Sequence, residues 1–157
     1  AMGRSKLPVI LDEAGAPLFG EGYSFEYGVS TWAREGGDIT IVTMGTVTGV
    51  VVDAADALRD EGVLADVCIV SSPLDLDDEA MQRVASARWV LVVEDHGWRT
   101  GLWASVAEWL VLHGRCVAAV PVGVDCYEGS GAATDLFARA GLDCVGIVQR
   151  VHELLAR

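Results

Sequence analysis

The residues of this sequence whose types and spacing could do chemistry are concentrated in one stretch, VLVVEDHGWRTGLWASVAEWL, residues 90–110. Glu94, Asp95 and His96 end an apolar run there, and a second apolar run with helical spacing follows at once. A carboxylate pair beside an imidazole could be a catalytic group, a metal site, or the polar end of a strand that turns into a helix. The choice depends on the residues and elements around them.

A catalytic or metal-binding role for this stretch would require partners that the sequence does not supply. No G-x-S-x-G elbow is present to bring a serine nucleophile beside the histidine. The glycines of TMGTVTG, residues 43–49, lack both the G-x-G-x-x-G spacing and the lysine of a phosphate-binding loop. A zinc site needs three or four ligands, and the available histidines are His96, His113 and His152. We therefore predict no catalytic, cofactor-binding or metal-binding residue here, and a structural or interface role for Glu94 and His96.

The composition is that of one globular domain with an acidic surface. The chain has 157 residues, 52% of them hydrophobic, with no apolar run long enough to span a membrane and no signal-peptide pattern, which favours a cytoplasmic protein. The net charge of −12 argues against nucleic acid and anionic membranes as partners, because both require basic protein surfaces. The cysteines have no C-x-x-C spacing and are predicted to be reduced thiols: Cys68, Cys116, Cys126 and Cys144.

Strand-like and helix-like segments alternate along the chain after an irregular start. Residues 1–22 show no sustained period and are predicted to be a linker, in which Ala1-Met2 resembles an expression scar; residues 23–157 form the predicted domain. Strands are predicted at residues 29–33, 39–44, 65–70, 89–94 and 116–123. Helices are predicted to begin near Thr46, Asp77, Leu102, Ala132 and Asp143.

This alternation predicts an α/β fold with three α/β/α layers around a five-stranded, mostly parallel sheet. The tight Gly36-Gly37 turn joins the first strand to the second, so we expect the first strand to be antiparallel to the rest. The carboxyl ends of parallel strands line one edge of a sheet, where ligand crevices form. The residues expected along that edge are Gly45, Ser71-Ser72, Glu94-Asp95-His96 and Gly123.

The order of several motifs resembles the C-terminal domain of the transketolase family over residues 23–157. The motifs are FEYGVSTWAREGGDITIVTMG, LRDEGVLADVCIVSSPLD, VLVVEDH and GVDCYEGSG, followed by the closing helix. They are most similar to those of split-subunit transketolases and deoxyxylulose-phosphate synthases. In these proteins a glycine like Gly45 ends a strand, a proline and an aspartate like Pro73 and Asp75 follow the next, and a glutamate like Glu94 ends the one after. The resemblance implies a five-stranded sheet with one antiparallel edge strand.

The resemblance also implies a place in a thiamine diphosphate enzyme, which transfers two-carbon ketol units between sugar phosphates or carries out a related condensation. GRSKLPVILDE, residues 3–13, is similar to the family's segment that joins an upstream pyrimidine-binding domain to this one. The family holds the cofactor and Mg²⁺ through a GDG motif with a pair of asparagines, and this chain contains no asparagine. The resemblance therefore implies a domain that is inactive alone and binds no cofactor itself. Its partners would be the remaining domains or subunit of the same enzyme, in a dimer or another homo- or hetero-oligomer.

The sequence departs from the family where a Gly-Gly-Leu-Gly run commonly follows the glutamate strand. Residues 100–103 are Thr-Gly-Leu-Trp, so a threonine and a tryptophan replace two glycines. Trp98 and Trp103 must either fill the core or face a partner, which makes the strand-end edge with Glu94 and His96 a candidate interface. The departure also raises the alternative of a specialised relative with substrates other than the usual pentose and hexose phosphates.

Three functions stay open on the sequence alone. The chain could be the subunit-association and active-site-closing domain of a transketolase-like transferase. It could instead be the C-terminal domain of a 2-oxo acid dehydrogenase beta subunit that docks an acyltransferase, although CYEGSG after Asp125 lacks the proline-rich stretch usual in that branch. It could also be an independent small-molecule-binding α/β domain that uses Ser71, His96 and Asp125.

Overall fold

The computed structural model describes residues 7–126 and 129–157, and within them five strands and five α-helices follow an irregular N-terminal segment. The strands are β1 (Thr31–Arg34), β2 (Ile39–Thr43), β3 (Ala65–Ile69), β4 (Trp89–Gly97) and β5 (Ala118–Val124). The helices are α1 (Thr48–Asp60), α2 (Asp78–Val84), α3 (Leu102–Leu112), α4 (Ala133–Arg139) and α5 (Cys144–Leu155); a 3-10 turn (Gly45–Val47) leads into α1. The predicted scar Ala1-Met2 and two residues of the GVDCYEGSG motif, 127 and 128, lie outside the described residues.

The strands form one sheet in the order β1-β3-β2-β4-β5. β2 lies at the centre, with β3 and β4 parallel to it on either side, and β5 continues the parallel part next to β4. β1 pairs antiparallel with β3 and forms one edge of the sheet, with Thr31 opposite Ile69. The prediction of a five-stranded, mostly parallel sheet with one antiparallel edge strand is confirmed.

β1 does not pair with β2, although a tight turn joins them. The turn instead crosses the start of β3, because the N–H groups of Gly37 and Asp38 both donate to the carbonyl oxygen of Leu64, at 3.1 and 2.9 Å. A Cβ atom at Gly36 would lie 2.4 Å from that carbonyl oxygen, so the crossing requires glycine. Since β3 and β4 occupy both edges of β2, the edge left for β1 is the outer edge of β3.

Helices cover both faces of the sheet and give the predicted three layers. Side chains alternate between the faces along β2: Ile39 and Ile41 join a core cluster under α1 and α5, and Val42 joins a second cluster under α2 and α3. α4 packs on the first side through Phe137. Because both faces are buried, the central strands appear in the sequence as nearly continuous apolar runs. None of the helices in residues 7–126 and 129–157 is long and apolar enough to cross a membrane.

β5 forms the other edge of the sheet and is half-exposed along most of its length. Pro121 lies within this strand, and a proline is tolerated there because an edge strand needs fewer backbone donors. The strand begins at Ala118, two residues later than predicted, so the exposed Cys116 precedes it.

The described part of the N-terminal segment lies along the domain surface. Its one backbone bridge, among the residues that the structure describes, joins Leu11 and Pro17. Ile10 and Leu18 pack against the core cluster under α1 and α5, and Arg34 donates to the carbonyl oxygen of Leu11 at 2.8 Å. The division into a linker, 1–22, and a domain, 23–157, stays a prediction.

Candidate functional site

Glu94 lies at the carboxyl edge of the sheet, where β4 approaches the start of α3, and it is fully buried. Its carboxylate oxygens accept hydrogen bonds from the backbone N–H groups of Leu102 and Trp103, at 2.8 and 2.9 Å. These groups open α3, and the residue before them, Gly101, has no side chain with which to cap the helix. Glu94 therefore caps α3 from a neighbouring strand, with its negative charge at the positive end of the helix dipole.

Two glycines allow the backbone to approach Glu94 closely. A Cβ atom at Gly101 would lie 1.7 Å from Glu94 Oε2. One at Gly123 would lie 3.0 Å from the carbonyl oxygen of His96 and 3.3 Å from Glu94 Cγ. Of residues 100–103, Gly101 must therefore be a glycine, because a side chain there would overlap Glu94.

Asp95 and His96 form a second polar group at the same edge. The hydroxyl of Thr46 donates to Asp95 Oδ2, and His96 Nδ1 lies 2.9 Å from Asp95 Oδ1. That second contact is a close approach without hydrogen-bond geometry, since Oδ1 has no hydrogen-bond partner in the described part of the chain. The Asp95 side chain is 17% exposed and the His96 side chain 56% exposed. His96 is therefore accessible at the edge, whereas Asp95 is held against the start of the turn into α1.

Trp98 and Trp103 are both half-buried near this edge. Trp103 packs against the core cluster under α2 and α3. Trp98 lies in the turn after β4, where the guanidinium carbon of Arg99 is 4.5 Å from its ring centre. Arg99 also pairs with Asp125 at 3.1 Å. Each tryptophan leaves part of its ring accessible to a partner.

The residues considered for an independent small-molecule site do not line one cavity in the described ranges. His96 lines a crevice of about 340 Å³ together with Met44 and Pro73. Asp125 lines a different cavity, of about 510 Å³, between β5 and the last two helices. The hydroxyl of Ser71 donates to the carbonyl oxygen of Val29 at 3.0 Å. The structure thus separates these three side chains.

The described residues do not fit thiamine diphosphate or its Mg²⁺. Among them, no group of three or more histidine, cysteine, aspartate or glutamate side chains could hold a metal ion. Gly36-Gly37-Asp38, the closest match to a GDG motif, is a turn in which Asp38 Oδ2 accepts a hydrogen bond from the N–H of Leu64 at 2.7 Å. Its carboxylate is therefore already engaged in holding the turn against β3.

Sequence reasoning misses Thr46 and Gly101 as parts of this site. The sequence signal for Thr46 is its position directly after Gly45 at the end of β2, because β2 and β4 are neighbours and their carboxyl ends meet. The signal for Gly101 is a glycine just before an apolar helix that has no serine, threonine or aspartate cap of its own.

Comparison with known protein families shows what kind of domain contains this carboxyl edge of the sheet. The transketolase C-terminal domain family matches residues 28–147. The chain belongs to this family. This transketolase C-terminal domain is 30% identical over 138 residues to the 6-deoxy-6-sulfo-D-fructose transketolase subunit SqwH of Clostridium sp. (strain MSTE9), covering 87% of this chain and 43% of the relative. It is 28% identical over 141 residues to a 1-deoxy-D-xylulose-5-phosphate synthase of Chlorobium luteolum, covering 88% and 22%.

Solved structures agree with this membership. A split gene transketolase, described as an inactive beta4 tetramer, superposes with a TM-score of 0.84 at 30% identity, covering 98% of this chain and 48% of that chain. A transketolase from Campylobacter jejuni shares the fold, with a TM-score of 0.62 at 15% identity over 88% of this chain and 20% of that chain. The resemblance predicted from the sequence is confirmed. The transketolase C-terminal domain spans less than half the length of these relatives.

Proposed function

We propose that this transketolase C-terminal domain is a non-catalytic part of a thiamine diphosphate-dependent, transketolase-like transferase. Its role is to associate with the remaining domains or subunits of the enzyme and to close the edge of an active site. The names of its relatives support this proposal, since they include a transketolase subunit and a deoxyxylulose-phosphate synthase, each more than twice as long as the matched region.

The single observation that carries the proposal is the environment of Glu94. A general acid or base must reach a substrate proton, whereas this carboxylate is fully buried and bonded to two backbone N–H groups of α3. Glu94 at the carboxyl edge of the sheet thus caps α3 and is not free to act on a substrate. Nearby, His96 is exposed and Trp98 is half-buried, and both suit contact with a partner.

Thiamine diphosphate and Mg²⁺ enter the proposal only through the complete enzyme, where the cofactor would stabilise the carbanion formed during two-carbon transfer. The residues that the structure describes offer no donor set for that group. In this proposal its binding belongs to other parts of the protein. The linker of residues 1–22 would connect this domain to them. We further propose a dimer or larger assembly in the cytoplasm, where thiols such as Cys68 and Cys144 stay reduced.

The test is His96→Ala in the complete enzyme. If His96 is an edge residue without a catalytic role, turnover of ketol transfer should change by much less than tenfold, or about 1.4 kcal/mol. A general acid or base would contribute about 100-fold or more. Steady-state kinetics, with the assembly state checked by sedimentation, distinguish the two outcomes.

The matched control is His113→Ala, because His113 follows α3 at its other end and hydrogen bonds to the carbonyl oxygen of Trp109. A loss of 100-fold or more for His96→Ala alone, with assembly intact, would place His96 among the catalytic residues and contradict the proposal. Ketol transfer by the isolated chain would contradict it as well.

A further inference from the structure

A groove of about 640 Å³ opens beside Asp95, on the face of the sheet covered by α1, α4 and α5. This volume lies within the range of small-molecule sites. Most of its lining is apolar, contributed by Leu7, Pro8, Val50, Phe137 and Leu142. The groove is separate from the crevice at His96 and from the cavity at Asp125.

Among the residues that the structure describes, every charged side chain that lines the groove is a carboxylate: Asp53, Asp95 and Asp143. Two of them already have partners, since Asp143 Oδ1 accepts from the N–H of Gly146 at 2.8 Å and Asp95 contacts Thr46. Asp53 is exposed on α1 and makes no hydrogen bond or ion pair within the described ranges. As far as residues 7–126 and 129–157 extend, its carboxylate is open to a ligand lying in the groove.

Cys144 lies among the carboxylates of the groove. Its half-buried thiol lines the same surface. Burial raises the pKa of this thiol above its usual value, and the negative charges of Asp53 and Asp143 raise the pKa further. A positive charge in the groove would be stabilised by the same carboxylates that disfavour the thiolate.

We propose that this groove binds an organic ammonium compound with an apolar body. The cationic end pairs with Asp53, and the apolar body lies against Val50 and Phe137, where an aromatic ring also attracts a cation through its face. This chemistry excludes phosphorylated sugars, because phosphate would face three carboxylates. The groove is thus a ligand site of different specificity from the transferase chemistry proposed above.

One feature of the groove favours the opposite charge. The N-termini of α1 and α5 border it, and helix N-termini attract anions. At α5 this tendency is already met by Asp143, which caps the helix. The three carboxylates carry whole charges, whereas each helix end carries about half a charge, so the balance in the groove is negative.

The test uses the full chain and three probes of one shape: benzyltrimethylammonium, benzyl alcohol and phenylacetate. Titration followed by NMR and calorimetry should give the tightest binding for the ammonium probe and the weakest for phenylacetate. Bound ammonium probe should slow alkylation of Cys144, measured by peptide mass spectrometry, without slowing that of the exposed Cys116. Tighter binding of phenylacetate, or no ammonium binding at about 20 mM probe, would overturn the proposal.

Asp53→Asn should weaken binding of the ammonium probe by about three- to fivefold, the effect of losing one exposed ion pair. Asp60→Asn is the matched control, because Asp60 is an exposed aspartate at the other end of α1 that does not line the groove. Benzyl alcohol should bind both variants equally. An equal loss of ammonium affinity in the two variants would show only a response to the overall negative charge and would overturn the proposal.

Discussion

Glu94 acts at the start of α3, where it takes the place of a helix cap. The first N–H groups of any helix lack carbonyl partners within it, and in α3 those of Leu102 and Trp103 are satisfied by the Glu94 carboxylate. Since the glutamate comes from β4, one side chain joins a central strand of the sheet to the helix that covers it. The geometry depends on Gly101, where a Cβ atom would overlap the carboxylate.

Gly101→Ala should therefore destabilise the fold by about 2–4 kcal/mol, because the carboxylate must move and leave buried N–H groups without partners. Urea unfolding of the isolated chain measures this loss. The matched control is Gly37→Ala, since a Cβ atom at Gly37 meets nothing within 4 Å. Equal stability of the two variants would mean that the capping contact contributes little.

Cys68 should make the fold sensitive to alkaline pH. Burial raises the pKa of this thiol from 9.0 to about 12 in the folded chain. Above pH 9 the unfolded chain loses the proton while the folded chain keeps it, so the free energy of unfolding falls between pH 9 and about 12. The decline attributable to this group is at most about 1.4 kcal/mol per pH unit.

Unfolding measured from pH 8 to 10.5 should show a shallower alkaline decline for Cys68→Ala than for the unchanged chain. Cys68→Ala also lowers the free energy of unfolding at every pH, because the smaller side chain leaves a cavity. The quantity to compare is therefore the slope of the free energy of unfolding against pH. Cys116→Ala, at an exposed thiol, should keep the slope of the unchanged chain. A Cys68→Ala slope as steep as that of the unchanged chain would exclude the thiol as the source.

At the scale of elements, α3 carries two tryptophans with different surroundings. Trp109 is 7% exposed and its indole N–H donates to Asp78 at 2.7 Å, so it belongs to the core under α2 and α3. Trp103, about 1.7 turns earlier, is only half-buried. Tryptophans of this kind are frequent anchors in interfaces.

Trp109→Ala should cost about 3–5 kcal/mol of folding stability. Trp103→Ala should cost much less, and should instead weaken association with a partner chain or a second copy by about 2 kcal/mol or more. Thermal unfolding and sedimentation equilibrium measure the two effects separately. Strong destabilisation by Trp103→Ala with unchanged association would make Trp103 a core residue and remove the interface role.

The elements that could be predicted from sequence are those whose signal is local. The β-branched run ending at Gly45 and the apolar run ending at Glu94 predict β2 and β4, and Asp143 marks the start of α5. The partner of β1 could not be predicted, because pairing depends on which strand edges remain free once β2 is enclosed on both sides. The cap of α3 escapes prediction for the same reason: its donor and acceptor belong to different elements.

At the scale of the whole molecule, residues 7–126 and 129–157 contain no donor set that fits the cofactor and its metal, which leads to a prediction. The isolated chain should show no binding of thiamine diphosphate with Mg²⁺ by calorimetry. It has no asparagine, and Asp38 of the Gly-Gly-Asp turn is already bonded to the N–H of Leu64. Micromolar affinity would contradict this prediction and, with it, the proposal that cofactor binding belongs to other parts of the enzyme.

The reversed direction of β1 determines at which edge the polypeptide enters the sheet. Thr31, the first residue of β1, lies opposite Ile69, the last residue of β3, and the N–H of Gly28 donates to the Ser72 hydroxyl just beyond. A parallel strand in this position would have brought the entering chain to the far edge, near Leu64. The antiparallel strand brings it to the edge where Glu94 lies. The orientation of one short strand thus sets the position of the residues directly ahead of β1, so that residues 28–30 lie beside the strand ends.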